Sequence, residues 1–211
     1  MEDSLETAMH ETEPFPASTG GKMRPLSLPN LLTYGRILAV PAIVLLFQVW
    51  GNTGRWLSLL LFIAASVTDW LDGYLARAWQ QQSGLGRMLD PIADKLLVAT
   101  VLLLLVSDNT IGGWSLLAAI IILCREILVS GLREFLAEVR VRVPVSQLAK
   151  WKTTLQMVAL GFLICGPAGD RIFPYISYIG LLLLWVSALL TVYTGYDYFR
   201  ASLNHLMTEE S

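Results

Sequence analysis

From residue 31 onward, long apolar runs alternate with short polar breaks, at roughly 31–50, 56–78, 88–106, 114–139, 148–165 and 174–193. Each run is long enough for a helix of transmembrane length, and the pattern shows no period-two alternation of the kind a half-buried strand would give. The breaks carry residues that end helices, as at Gly51-Asn52, Ser83-Gly84, Gly112-Gly113 and Gly166-Pro167. The expected fold is therefore an all-α integral membrane protein with six transmembrane helices. No internal repeat suggests duplicated halves. Residues 1–28 read differently: Glu2, Asp3, Glu6, Glu11 and Glu13 precede a Pro, Ser, Thr and Gly stretch with no apolar run of signal-peptide length. The expected organisation is a disordered tail over 1–28, a membrane domain over 29–200 and a short C-terminal tail over 201–211.

Composition agrees with this reading. The 211 residues are 55% hydrophobic and 15% charged, with a mean hydropathy of +0.57, too apolar for an ordinary soluble domain. Fifteen bases against seventeen acids give no reason to expect a nucleic-acid partner. Cys124 and Cys165 both sit in apolar runs and can build neither a disulfide framework nor a CxxC metal site. With the N-terminus inside, Lys22, Arg24, Arg77, Arg87, Arg140, Arg142, Lys150, Lys152 and Arg200 fall on the cytoplasmic side, and only Arg55 and Arg171 fall opposite. Both termini are then cytoplasmic. Trp50, Trp56, Trp114 and Trp185 suit the membrane interface or lipid contact.

Charge inside the runs is what sets the chain apart. Asp69 follows Trp56 by thirteen residues, about 20 Å along a helix, and Asp94 lies about 18 Å from the outer end of its own run. Asp69 and Asp72 share a helical face, as do Asp90 and Asp94 at i, i+4, so four acids should converge. An ionised aspartate at the centre of a membrane helix costs about 2.5–3.5 kcal/mol on insertion scales, so such a cluster calls for cations. Carboxylate oxygens with no His or Cys nearby fit hard divalent ions, Mg²⁺ or Mn²⁺, and argue against zinc. Two ions bridged by shared carboxylates are the arrangement that promotes phosphoryl transfer. A second group, Arg36, Arg125, Glu126, Arg133, Lys150 and Lys152, sets five bases against one acid and invites an anion such as a phosphate monoester. The alternative is interhelical ion pairing at Arg125 and Glu126, with Lys150 and Lys152 snorkelling to the surface.

The string Asp69-Trp-Leu-Asp72-Gly73-Tyr-Leu-Ala76-Arg77, followed after eight residues by Gly86, then by Asp90 and Asp94, resembles the DxxDGxxAR…GxxxDxxxD signature of the CDP-alcohol phosphotransferases. Every position of the signature is filled. The resemblance implies six helices around a cavity open to the cytoplasm, and a homodimer in the bacterial cytoplasmic membrane. It implies two divalent ions held by Asp69, Asp72, Asp90 and Asp94, with Asp94 also the general base. It places CDP-diacylglycerol against Asn30, Thr33, Asp72, Gly73, Ala76, Arg77 and Gly86. Independently of the family, Gly in a membrane span is more often a helix-packing residue. Segments around Pro29 to Arg36, Arg125 to Glu138 and Val145 to Gln156 are similar to family members that use sn-glycerol 3-phosphate as acceptor. Arg36, Arg125, Arg133, Lys150 and Lys152 would then bind the acceptor phosphate. Two rival readings remain: a member of the same fold that accepts phosphatidylglycerol to make cardiolipin, and, from another class, a cation-coupled transporter.

Overall fold

The computed structural model describes residues 28–79, 84–138 and 147–209. They form six helices: α1 (Leu28–Val49), α2 (Gly51–Trp79), α3 (Gly84–Ser107), α4 (Ser115–Glu138), α5 (Gln147–Asp170) and α6 (Ile176–Glu209). Residues 1–27 of the expected tail lie outside the described residues. The stretch 201–209, read from sequence as part of a C-terminal tail, continues α6.

Six helices are present, but the expectation of six transmembrane helices is corrected. Among the described residues, three helical segments are long and apolar enough to cross a membrane: Leu31–Val49, Ser115–Ala137 and Ile176–Tyr196. The physical reason is charge. α2 carries Arg55, Asp69, Asp72 and Arg77, α3 carries Arg87, Asp90, Asp94 and Lys95, and α5 carries Lys150 and Lys152 and then breaks at Gly166-Pro167. Run length alone overstated the lipid-compatible surface of these three, because each ionised side chain offsets the transfer energy of several apolar ones.

The helices pack in a ring in the order α1, α2, α5, α6, α4, α3, and α3 also touches α5 across the middle. Ile43, Leu97, Leu105, Ile122, Leu160, Leu163 and Leu184 fill the interior, each 1% exposed or less. At about 25 cal/mol per Å² of apolar surface removed from solvent, each fully buried Leu or Ile contributes about 1.5–3 kcal/mol, an upper range where lipid is the alternative environment. The α1–α2 connection is tight enough to require glycine twice. Gly51 takes φ +53°, and a Cβ on Gly54 would stand 2.0 Å from the Leu46 carbonyl oxygen.

One polar knot holds the end of the bundle where α1 meets α2. Pro167 has no N–H to give the Leu163 carbonyl, and Gly166 at φ 42°, ψ −128° breaks the hydrogen-bond ladder of α5. Arg55 of α2 fills the gap: Nη1 donates to the carbonyls of Ile164 at 3.1 Å and Leu163 at 3.5 Å. Its Nη2 pairs with Asp108 and donates to Thr110 Oγ1 at 3.0 Å, and the guanidinium lies 4.6 Å over the Phe47 ring. Arg55, read from sequence as a loop charge, thus ties α1, α2, α5 and the α3–α4 turn. Nearby, Asp170 accepts from the Ser177 hydroxyl at 2.5 Å and from the Ser177 N–H at 3.0 Å, which caps the start of α6. These bonds, the hydroxyl first, hold the Asp170 carboxyl below the usual carboxylate range. Their stabilisation is present at neutral pH and is lost as pH falls through that lowered value.

Arg55→Ala orphans two helix carbonyls at roughly 1–3 kcal/mol each if they remain dry. Each kcal/mol lowers Tm by about 2–4 °C for a chain of this size. Thermal unfolding in detergent should show a fall of several degrees, and an unchanged Tm would show that the knot is not structural.

Candidate functional site

The signature acids sit at the other end of α2 and on the first turns of α3, and α1 reaches both. Thr33 and Arg36, three residues apart and each 1% exposed, occupy one face of α1. Thr33 Oγ1 donates to Asp90 Oδ1 at 2.6 Å. Arg36 Nη1 pairs with Asp69 Oδ1 at 2.6 Å, with the Arg36 side chain fully buried and the Asp69 side chain 42% exposed. Asp69 and Asp90 lie close enough to repel one another, so α1 supplies the first compensation for a pair of like charges. Gly86 is buried one turn before Asp90. Asn30, Asp72, Gly73, Ala76 and Arg77 lie on α1 and α2, and their side chains fall outside the described residues.

Asp94 turns to a different surface. With Pro91 and Lys95 of α3, it lines a cavity of about 280 Å³ whose other walls are Arg125, Glu126 and Arg133 of α4 and Lys150, Lys152, Thr153 and Gln156 of α5. The structure therefore brings together four of the five bases expected to meet a phosphate. Arg36 is not among the lining residues; it faces Asp69. Within the cavity wall Glu126 is bracketed by Lys152, which pairs with it directly, and by Arg125 at 3.6 Å. Arg125 Nη2 also donates to Thr194 Oγ1 of α6 at 3.0 Å, and Gly195 lets α6 approach, since a Cβ there would stand 3.3 Å from Arg125 Cγ. Arg125 and Lys152 are thus partly held by structural partners; Glu126 makes an interhelical ion pair, but its partner across helices is Lys152, which is buried and does not snorkel to the surface. Arg133 and Lys150 are exposed at the rim. Lys152 also lies within electrostatic reach of Asp94.

Three lining residues had not been singled out from sequence. Lys95 bonds Ser130 Oγ of α4 and so fastens α3 to α4 beside the cavity. It is a charge inside an apolar run, the same signal that revealed Asp94, and it was masked by standing next to it. Gln156 shares a helical face with Lys152 at i+4, and Thr153 precedes Gln156 by three residues, spacings that could have flagged both.

Among the described residues, no three His, Cys, Asp or Glu side chains form a group able to hold a metal ion. Asp69 and Asp90 stand together, Asp94 faces the cavity, and the Asp72 side chain falls outside the description. The donor chemistry fits a hard cation nonetheless, because every candidate ligand is a carboxylate oxygen. A separate apolar groove of about 440 Å³ runs between α2 and α5, from Trp56 and Cys165 to Ser66 and Val67, and Met157 lines both it and the polar cavity. A polar pocket and an apolar groove that share a wall residue suit an amphiphile.

Comparison with known proteins bears on what that amphiphile is. The sequence profile of the CDP-alcohol phosphatidyltransferase family matches residues 26–193. The chain is 50% identical over 175 residues to the CDP-diacylglycerol–glycerol-3-phosphate 3-phosphatidyltransferase of Rickettsia typhi, covering 83% of this chain and 96% of that protein. It is 38% identical over 221 residues to the enzyme of the same name from Cereibacter sphaeroides, covering 87% of this chain and 99% of the relative. The Haemophilus influenzae enzyme of that name is 38% identical over 183 residues, 86% of this chain and 96% of its own length. With the signature complete, the acids held by α1 and near-full-length similarity of this degree, the chain belongs to the CDP-alcohol phosphatidyltransferase family.

Proposed function

We propose that this membrane protein transfers the phosphatidyl group of CDP-diacylglycerol to sn-glycerol 3-phosphate, giving phosphatidylglycerophosphate and CMP. The observation that carries the reading is the cavity in which Asp94 meets the bases of α4 and α5. An acceptor with a dianionic phosphate needs such a surplus of positive charge, and an acceptor lacking one does not. The similarity to enzymes named for this reaction supports the same choice.

Asp69, Asp72, Asp90 and Asp94 would hold two divalent cations, Mg²⁺ or Mn²⁺, which supply charge neutralisation at the diphosphate and at the departing CMP. Arg77 neutralises the nucleotide diphosphate, and the small residues Gly73, Ala76 and Gly86 leave room for the nucleotide, with Asn30 and Thr33 beside it. Arg125, Arg133, Lys150 and Lys152 fix the acceptor phosphate. Arg36 acts on the same site from the other side, orienting Asp69. Asp94 takes the proton from the terminal hydroxyl of glycerol 3-phosphate. The oxygen so freed attacks the phosphorus attached to diacylglycerol, and the bond to the CMP oxygen breaks in line. The acyl chains stay in lipid along the groove between α2 and α5. The basic residues near the signature acids support a site that faces the cytoplasm, and the family resemblance supports a homodimer.

Asp94→Asn keeps size and removes the base. Its kcat with CDP-diacylglycerol and glycerol 3-phosphate should fall by about 10²–10⁴-fold with Tm unchanged, and near-normal turnover would remove Asp94 from this role. Arg133→Ala and Lys150→Ala, both at the exposed rim, should raise KM for glycerol 3-phosphate about tenfold or more, as expected for loss of a charge-assisted contact, while kcat changes little. An unchanged KM in both would take the acceptor phosphate out of this cavity.

A further inference from the structure

Gln156 is a buried polar side chain that the reaction as described does not use. It is 2% exposed, it lines the cavity, and its Oε1 has no hydrogen-bond partner among the described residues. A dry, unpartnered amide oxygen is costly, and native structures rarely keep one without a use. Among the described residues no donor of the surrounding wall bonds it. Lys152, one turn earlier, is turned to Glu126, and Arg125 is turned to Glu126 and Thr194. From α6, Gly180 packs on Leu163 and Phe162, so the antiparallel register brings Ser187 level with Gln156. The Ser187 hydroxyl is also buried and has no partner among the described residues, and no bond joins the two.

An amide oxygen accepts and does not donate. It repels phosphate oxygens and calls for a hydroxyl. Lys152 and Gln156 share one face of α5 a single turn apart, about 5–6 Å along the axis, comparable with the extended separation between a phosphorus and the hydroxyl oxygen on the second carbon of the chain it esterifies. The small volume of the cavity fits such an acceptor better than a headgroup carrying acyl chains. Resting on the proposed reading of this cavity as the acceptor site, we infer that Gln156 determines acceptor specificity: its Oε1 accepts a hydrogen bond from the C2 hydroxyl of sn-glycerol 3-phosphate, the hydroxyl that the transfer does not consume. Asp94 and Gln156 then divide the two hydroxyls between them. Asp94 takes the proton of the one that reacts, and Gln156 holds the one that fixes orientation and hand.

The test compares glycerol 3-phosphate with 3-hydroxypropyl phosphate, which keeps the phosphate and the terminal hydroxyl and lacks the C2 hydroxyl. CMP release is followed with the intact detergent-purified protein and CDP-diacylglycerol. The wild-type protein should favour glycerol 3-phosphate by about tenfold or more in kcat/KM, the size expected for one buried hydrogen bond. Gln156→Met, close in length and apolar, should lower kcat/KM for glycerol 3-phosphate by a similar factor, mainly through KM, and leave the deoxy acceptor within about twofold. Gln156→Glu, which retains an accepting oxygen, should keep a preference for the C2 hydroxyl. Equal use of both acceptors by the wild-type protein overturns the inference without needing any variant to fold. An equal loss on both acceptors in Gln156→Met overturns it too, since a packing role would not distinguish them. In either of those cases the reading of the cavity as the acceptor site survives. CMP release with phosphatidylglycerol and with neither phosphate ester would instead overturn both.

Discussion

Everything at the functional end of this bundle depends on placing carboxylates among apolar helices and compensating them there. Arg36 is the clearest case. It is fully buried, its Nη1 lies 2.6 Å from Asp69, and Thr33 one turn away engages Asp90. Removing one partner of a buried pair typically costs about 3–5 kcal/mol, because the other charge is stranded. Asp69 is half-exposed and screened, so the net contribution of the intact pair is nearer to about 1 kcal/mol. The asymmetry suits a site more than a scaffold. α1 sets the positions of the two acids without saturating them, and Asp69 keeps an open side.

The two ends of the bundle use the same chemistry for different purposes. At one end Arg55 is spent on helix carbonyls, Asp108 and Thr110, all of them fixed parts of the protein. The other end gathers five bases and Asp94 around a cavity, with Glu126 holding Arg125 and Lys152 in the wall. α3 separates the two halves of the functional end. Asp90 turns towards α1, while Asp94 and Lys95 turn towards α4 and α5. On the proposed reading, a donor site on one side of α3 and an acceptor site on the other would be only one helical turn apart, close enough for a single carboxylate to serve both.

Much of this was legible in the sequence, and the reasons differ by element. The six helices followed from run length and from glycine breaks, since Gly51 and Gly84 begin helices and Gly113 lies in a turn. The acids were visible because charge in an apolar run has few bland explanations. Reading each run as a span failed for α2, α3 and α5, because run length ignores the charges the runs carry. The break at Gly166-Pro167 was read as a helix end, although Arg55 supplies donors that let α5 resume as far as Asp170. The partner of Arg36 was out of reach, because helical spacing gives a residue's face and says nothing of which neighbour it meets. Lys95 and Gln156 were passed over for simpler reasons: one stood beside a stronger signal, and the other carries no charge.

The most direct measurement of the central claim is CMP release from CDP-diacylglycerol by the detergent-purified protein, offered glycerol 3-phosphate, glycerol or phosphatidylglycerol in turn, with and without EDTA. A metal-dependent release with glycerol 3-phosphate alone is the result expected of carboxylates that hold cations beside a cavity built for a phosphate. Release with phosphatidylglycerol alone, or release that EDTA leaves untouched, would contradict that account of the site.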